Sequence, residues 1–186
     1  MSAVNPTSVS VVPVGKWSVD AARSSVAFAV KHMMFATVNG RFRKFDGILE
    51  LGADAPRASG VVQAATIDTS EPVRDEHVRH SPDFFDVERY PEITFTSTGI
   101  DYLERGGLHI AGELTMRGVT REIKLDGQIN STGPEGPGNG RIELTLRGEL
   151  NRRDFGLTWN QALETGGALL GNKVKVVLEI SAVNTA

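Results

Sequence analysis

"RIELTLRGEL", residues 141–150, decides the fold class. Ile142, Leu144, Leu146 and Leu150 fall on one side of an extended chain, and Arg141, Glu143, Thr145, Arg147 and Glu149 on the other. Successive side chains of a strand point to opposite faces, so this alternation marks a strand with one apolar and one wet face. Working outward, the pattern recurs. "VTREIKLDGQI" (119–129) aligns Val119, Arg121, Ile123, Leu125 and Ile129, and "GLHIAGELTM" (107–116) aligns Leu108, Ile110, Leu114 and Met116. "KVKVVLEI" (173–180) aligns Val174, Val176, Leu178 and Ile180. Toward the N-terminus, "EITFTSTGI" (92–100), "GILELG" (47–52) and "SVAFAV" (25–30) alternate as well, and "VVQAATID" (61–68) does so weakly.

Turn chemistry separates these segments: Arg105-Gly106-Gly107, "MRGVT" around Gly118, and the Gly/Pro-rich "STGPEGPGNG" at 131–140. Strand follows strand without long helices between them, which predicts a mostly antiparallel sheet. About eight strands with one apolar face each must bury it, in a sandwich or in a closed up-and-down barrel. Glycines at 47, 99, 112, 127 and 148 lie inside strand patterns, where bulges and barrel corners place them. Aromatics are only 6% of the chain. A closed barrel of that size holds one small ligand when bulky side chains do not fill it. Both features favour the barrel, and the second hints at a ligand cavity; an ordinary packed β core fits the same periodicity. Gly112, beside Ile110 on the apolar face, is expected to leave space there.

With 186 residues, 40% hydrophobic and 23% charged, the chain fits one globular domain with a sizeable core. A net charge of −3 gives no footing for nucleic acid. The lack of cysteine excludes disulfides and thiolate chemistry. No apolar run reaches membrane-spanning length, so no stable membrane insertion is expected. Residues 1–15 read as a flexible N-terminal arm, interrupted by Pro6 and Pro13, ahead of a barrel domain over 16–183. A cytoplasmic location is the expectation.

Two short helices are predicted. One covers "KHMMFATVNG" (31–40), with Asn39-Gly40 as its stop and Met33, Met34 and Phe35 as a plug or lid. The other covers 72–80 and starts at Pro72. The second opens "RDEHVRHSPDFFDVERYPEITF" (74–95), a stretch dense in acids, histidines and aromatics. His77 and His80 share a helical face near Asp75 and Glu76, yet their spacing matches no standard zinc signature. Asp75, His77 and Asp83 suggest an acid–histidine pair, but no nucleophile-elbow pattern accompanies them. The ordinary alternative is capping around a helix end, with Asp83 capping the "DFFD" turn. Phe84 and Phe85 must be buried, either closing the barrel or touching its contents.

This stretch resembles the signature of the YceI-like family of lipocalin-like proteins: Arg-Asp-x-His, then Asp-Phe-Phe, then Tyr-Pro-x-x-x-Phe. "WSVDAARSSVAFAVKHMMFATVNGRFRKFDGILEL", "IAGELTMRGVTREIKLDG", "LNRRDFGLTWN" and "GNKVKVVLEI" resemble further motifs of that family, in the same order, over about residues 16–183. One departure is the five residues between His77 and Asp83, where four are expected. The resemblance implies an antiparallel up-and-down barrel with a long apolar lumen. It implies an isoprenoid lipid as ligand, such as a polyprenyl phosphate or a prenyl quinone, and commonly a homodimer. It implies no catalytic residue, cofactor or metal.

The reading is therefore an all-β, lipocalin-like barrel of about eight strands with one or two short helices, holding one isoprenoid chain. The expected lumen wall is Val26, Phe28, Val30, Phe42, Phe45, Leu49, Ile67, Phe95, Ile110, Leu114, Ile123, Ile142, Leu144, Val176 and Leu178. Met33, Met34, Phe35, Phe84 and Phe85 form the expected plug or mouth. Arg41, Arg43 and Lys44 are candidates to hold an anionic head group, against the alternative of a solvated strand edge. The rival readings are a packed-barrel structural or interaction protein and, more weakly, a hydrolase using His77.

Overall fold

A computed structural model describes residues 14–52, 54–132, 140–163 and 167–185. Most of the predicted N-terminal arm and of the loop at 131–140 lies outside the described residues. The strands are β1 (Gly15–Val19), β2 (Ser25–His32), β3 (Ala36–Phe42), β4 (Phe45–Leu51), β5 (Arg57–Gln63), β6 (Ile67–Asp68), β7 (Glu92–Tyr102), β8 (Gly107–Met116), β9 (Val119–Thr132), β10 (Arg141–Asn151) and β11 (Leu170–Asn184). One α-helix, α1, covers Pro72–His80, with Pro72 in its first turn as predicted. All pairings are antiparallel, and β1 closes back onto β11.

These segments form a closed eight-strand barrel because three of its strands are broken. β1 and β2 both pair with β11 and lie end to end along it. β4 pairs with β1 while β3 pairs with β2, so β3 and β4 make the second broken strand. β5 pairs with β4 while β6 pairs with β3, which makes the third. Arg117 and Gly118 both have positive φ (51° and 69°), as a two-residue hairpin turn between twisted strands requires. Bulges interrupt β7 between Ser97 and Gly99 and the β9–β10 ladder at Glu143/Leu144.

Three expectations need correction. Residues 31–40 are not helical: β2 ends at His32, residues 33–35 turn, and β3 begins at Ala36. The run of Met, His and Lys mimics helix composition, but Val30↔Val38 and Phe28↔Gly40 pairing outweighs that local preference. Gly40 is no helix stop; a Cβ there would lie 2.3 Å from Phe28 Cζ, so the glycine makes room for a ring from the next strand. Gly112 leaves no free space either. The Phe95 ring occupies it, and a Cβ would meet Phe95 Cζ at 2.4 Å and the Thr96 carbonyl at 2.7 Å. Gly112→Ala is therefore expected to lower unfolding stability by ~1–3 kcal/mol, read from the urea midpoint. Finally, Ser81 rather than Asp83 caps the "DFFD" turn, accepting the Asp83 N–H on Oγ (3.2 Å) and the Phe84 N–H on its carbonyl (3.0 Å).

The interior has two packed zones. Trp17, Leu51, Leu108, Ile142 and Ala182 seal one end. Phe42, Ile67, Phe84, Phe85, Met116, Phe155 and Leu157 pack toward the other, beside α1.

Candidate functional site

Between these zones lies a cavity of ≈ 370 Å³, within the usual ~300–1,000 Å³ of small-molecule sites. Val26, Phe28, Val30, Phe42, Phe45, Leu49, Ile67, Phe84, Phe85, Phe95, Ile110, Leu114, Ile123, Leu144, Val176 and Leu178 line it, all of them chosen from the sequence. Several inward residues, among them Val26, Phe28, Phe95, Leu114, Ile123, Val176 and Leu178, are only half-buried. Their inner faces look onto empty space rather than onto neighbours. This void distinguishes the molecule from a packed barrel.

Four predicted site residues stand elsewhere. Met33 (55% exposed), Met34 (57%) and Phe35 (88%) sit on the β2–β3 turn and do not line the cavity. The two methionines adopt positive φ (51° and 67°), so the tight turn points this apolar trio outward instead of folding it over the barrel. Ile142 is 1% exposed, buried among Trp17, Leu51 and Leu108 at the sealed end, where no void remains. The candidate head-group cations are also placed elsewhere. Arg43 donates to Asp68, Arg41 lies 3.8 Å from the same carboxylate, and neither lines the cavity. The Ser70 N–H and the Arg43 guanidinium hold the Asp68 carboxyl below its ordinary value.

Thr69, Arg74, His77 and Arg152 line the cavity at the α1 end, while Asp46 and Ser59 line it on β4 and β5. Asp75, buried, accepts from the Thr69 N–H (3.0 and 3.1 Å) and hydroxyl (2.5 Å), tying the helix to the end of β6. Both carboxylate oxygens are spent on Thr69, which separates Asp75 from the acid–histidine pairing considered above. Arg74 donates to Thr69 Oγ1 and O (both 2.9 Å) and pairs with Glu71 (3.0 Å). Arg79 donates to the Ala65 (2.8 Å) and Ile67 (3.0 Å) carbonyls and holds the helix against the wall. His80 pairs with Glu76 and Glu88. His77 is exposed yet lines the cavity, so the cavity meets the surface here. Its ring meets Phe84 and Trp159 edge-on at 5.5 Å, and those two rings stack at 5.3 Å. The contacts of His77 are those of an aromatic brace. His77→Ala is expected to cost ~0.5–1.5 kcal/mol in thermal denaturation.

Among the lining residues that the sequence reading did not choose, Arg152 and Trp159 stand out. Both stand in "NRRDFGLTWN", which has no strand or helix period, and only the family motif drew attention to it. Arg152 is 4% exposed and donates to the carbonyls of Gly171, Leu157 and Trp159 (each 2.8 Å) and more weakly to Leu170 (3.4 Å). Burial, helped by the neighbouring Arg153 charge, pulls its pKa below the ordinary arginine value.

The model of the YceI-like domain matches residues 17–182. The chain belongs to the YceI-like family. A UPF0312 protein of Staphylococcus aureus (strain MSSA476) is 32% identical over 160 residues, covering 84% of this chain and 90% of the relative. A UPF0312 protein of Staphylococcus epidermidis is 34% identical over 167 residues, covering 86% and 92%. Among solved structures, BcnA of Burkholderia cenocepacia superposes with a TM-score of 0.75 at 21% identity, over 89% of this chain and 99% of that one. A polyisoprenoid binding domain from Saccharophagus degradans superposes with a TM-score of 0.67 at 18% identity, over 90% and 98%. The antiparallel barrel that the resemblance implied is thus shared with these structures. Among the described residues, no helix is long and apolar enough to cross a membrane.

Proposed function

We propose that this YceI-like chain binds one long isoprenoid chain, a polyprenyl phosphate or a prenyl quinone, in the barrel lumen. The cavity carries the reading: a space walled by apolar side chains from nearly every strand, with the cations Arg74 and Arg152 and His77 at its α1 end. Each methylene moved from water into such a wall gains ~0.8 kcal/mol, so a prenyl chain binds through length alone. The family membership and the polyisoprenoid binding domain with the same fold support the choice of chain. Binding rather than catalysis fits the site, because His77 is engaged by two aromatic rings and Asp75 by Thr69. The lining residues chosen from the sequence are the proposed ligand contacts. A homodimer and a cytoplasmic location belong to the same proposal, testable by sedimentation and cell fractionation.

Native mass spectrometry of the purified protein tests the central claim. A one-to-one adduct with the mass of an isoprenoid is expected, removable by organic extraction and restored by added polyprenol. A protein that neither carries nor accepts such a molecule would refute it.

A further inference from the structure

Among the described residues the ladder of the barrel wall is interrupted where the first two broken strands run side by side. The β1–β4 ladder ends at Ser18↔Ile48 and the β2–β3 ladder begins at Val26↔Phe42. Residues 19–25 and 43–47, facing each other between those rungs, share none. On its other side the chain takes six steps from Val19 to Ser25 while β11 takes three from Ala182 to Glu179. The surplus forms a short 3₁₀ turn, Ala21–Arg23. The Asp20 N–H donates to the Ser181 carbonyl (2.8 Å), Ser24 Oγ donates to the same carbonyl (3.2 Å), and Arg141 pairs with Asp20 (3.2 Å). These bonds draw the detour toward β10 and β11, away from β4.

The cavity reaches the surface at this break. Along β10 the lining residues keep strand parity: Leu144, Leu146, Leu150. Beside the break, outward as well as inward positions line it: Asp46, Gly47 and Ile48 on β4, and Ala58, Ser59 and Gly60 on β5. Asp46, Ile48 and Ser59 are at the same time exposed, so the cavity meets solvent here. Ile48 lines the cavity and is also 42% exposed. Gly47 and Gly60 pair across the β4–β5 ladder here. A Cβ on Gly47 would sit 2.9 Å from Val19 Cγ2, while one on Gly60 would meet only the Asp46 carbonyl, at 3.4 Å. The floor of the break is therefore low, with Val19 lying across it.

We propose that this break is a lateral portal through which the far, apolar end of a long isoprenoid chain leaves the lumen. The proposal rests on the lumen-binding reading above. Straight exit is barred, since Trp17, Leu51, Leu108 and Ile142 seal the end opposite α1. The chemistry of the two openings assigns the ends of the ligand. The α1 end carries the lining cations Arg74 and Arg152, whereas the break is lined by Val19, Ala27 and Ile48 with Ser59 and one carboxylate, Asp46; Arg23, Arg43 and Lys44 on its rims stand outside the lining. An anionic head is favoured at the first, and an apolar tail suits the mainly apolar lining of the second.

The absence of cysteine makes a direct test simple. Ile48→Cys places one thiol at the portal, and Glu113→Cys places one on the exposed outer face of β8 as a control. Each variant is alkylated with N-ethylmaleimide when empty, when loaded with geranylgeraniol and when loaded with undecaprenol, occupancy being read by native mass spectrometry. Undecaprenol is expected to slow alkylation of the I48C protein roughly tenfold, as for a thiol covered nine-tenths of the time. The short prenol should leave that rate unchanged, and the E113C rate should stay constant throughout. Full undecaprenol occupancy with an unchanged I48C rate overturns the portal and leaves lumen binding intact. Failure of the wild-type chain to take up either prenol overturns both.

Discussion

A tryptophan in place of Val176 is expected to abolish isoprenoid retention while the melting temperature stays close to that of the wild type. Val176 stands midway along β11, between Gly148 on β10 and Phe28 on β2, and it lines the cavity. Its side chain is only half-buried because it faces the void. An indole added there projects into empty or lipid-filled space, so it displaces ligand rather than protein. Excluding about four methylene groups forfeits ~3 kcal/mol of transfer free energy, more than a hundredfold in affinity. Ile142→Trp supplies the contrast. That residue is 1% exposed in the sealed end, where added bulk has nowhere to go and overpacking costs ~1–3 kcal/mol of stability. Retention after lipid extraction and a melting curve, measured on both variants, separate the two sites. Loss of stability without loss of ligand at Val176 would mean that the lumen is packed there.

This contrast also marks how far the sequence can be read. Alternation identified which residues face inward, because in a barrel the inner face is apolar whether or not it is filled. It could not tell Ile142 from Leu144, two residues apart on one face, since one meets the sealed end and the other the cavity. That distinction depends on what the seven other strands place at the same height. The same limit explains Gly112, whose apparent vacancy is filled by Phe95 from the neighbouring strand. Residues 33–35 failed differently. Their composition suits a helix, and only the long-range ladder of β2 with β3 forces a turn. The broken strands were invisible for a related reason: the six steps from Val19 to Ser25 show no excess until they are laid against β11. Arg152 lay beyond periodicity altogether. Its partners are backbone carbonyls of an irregular segment, and main-chain acceptors leave no mark in side-chain spacing.

Arg152→Met is expected to produce the largest loss of stability of any substitution considered, about 3 kcal/mol or more. Methionine keeps much of the unbranched stem and removes the guanidinium. The carbonyls of Gly171, Leu157 and Trp159 then lose their donor, whereas the Leu170 carbonyl keeps Asn160 Nδ2 at 2.8 Å. Each buried carbonyl left unsatisfied costs ~1–3 kcal/mol. Removing a buried cation recovers part of its desolvation cost, so the net falls below the sum of the three. No carboxylate among the described residues pairs with Arg152, so no opposite charge is stranded by the change. Arg152→Lys should fall between the two, because a single ammonium cannot reproduce the planar fork that spans residues 157 and 159 on one side and 171 on the other. The damage should be local before it is global. The irregular segment 157–159 is moored to the start of β11 by this side chain, and Trp159 stacks on Phe84 beside the cavity. Trp159 fluorescence should therefore shift to the red at urea concentrations that leave the far-ultraviolet β signal intact. A variant with an unchanged urea midpoint and unchanged emission would show that water reaches and satisfies those carbonyls, and that Arg152 does not hold the α1 end together.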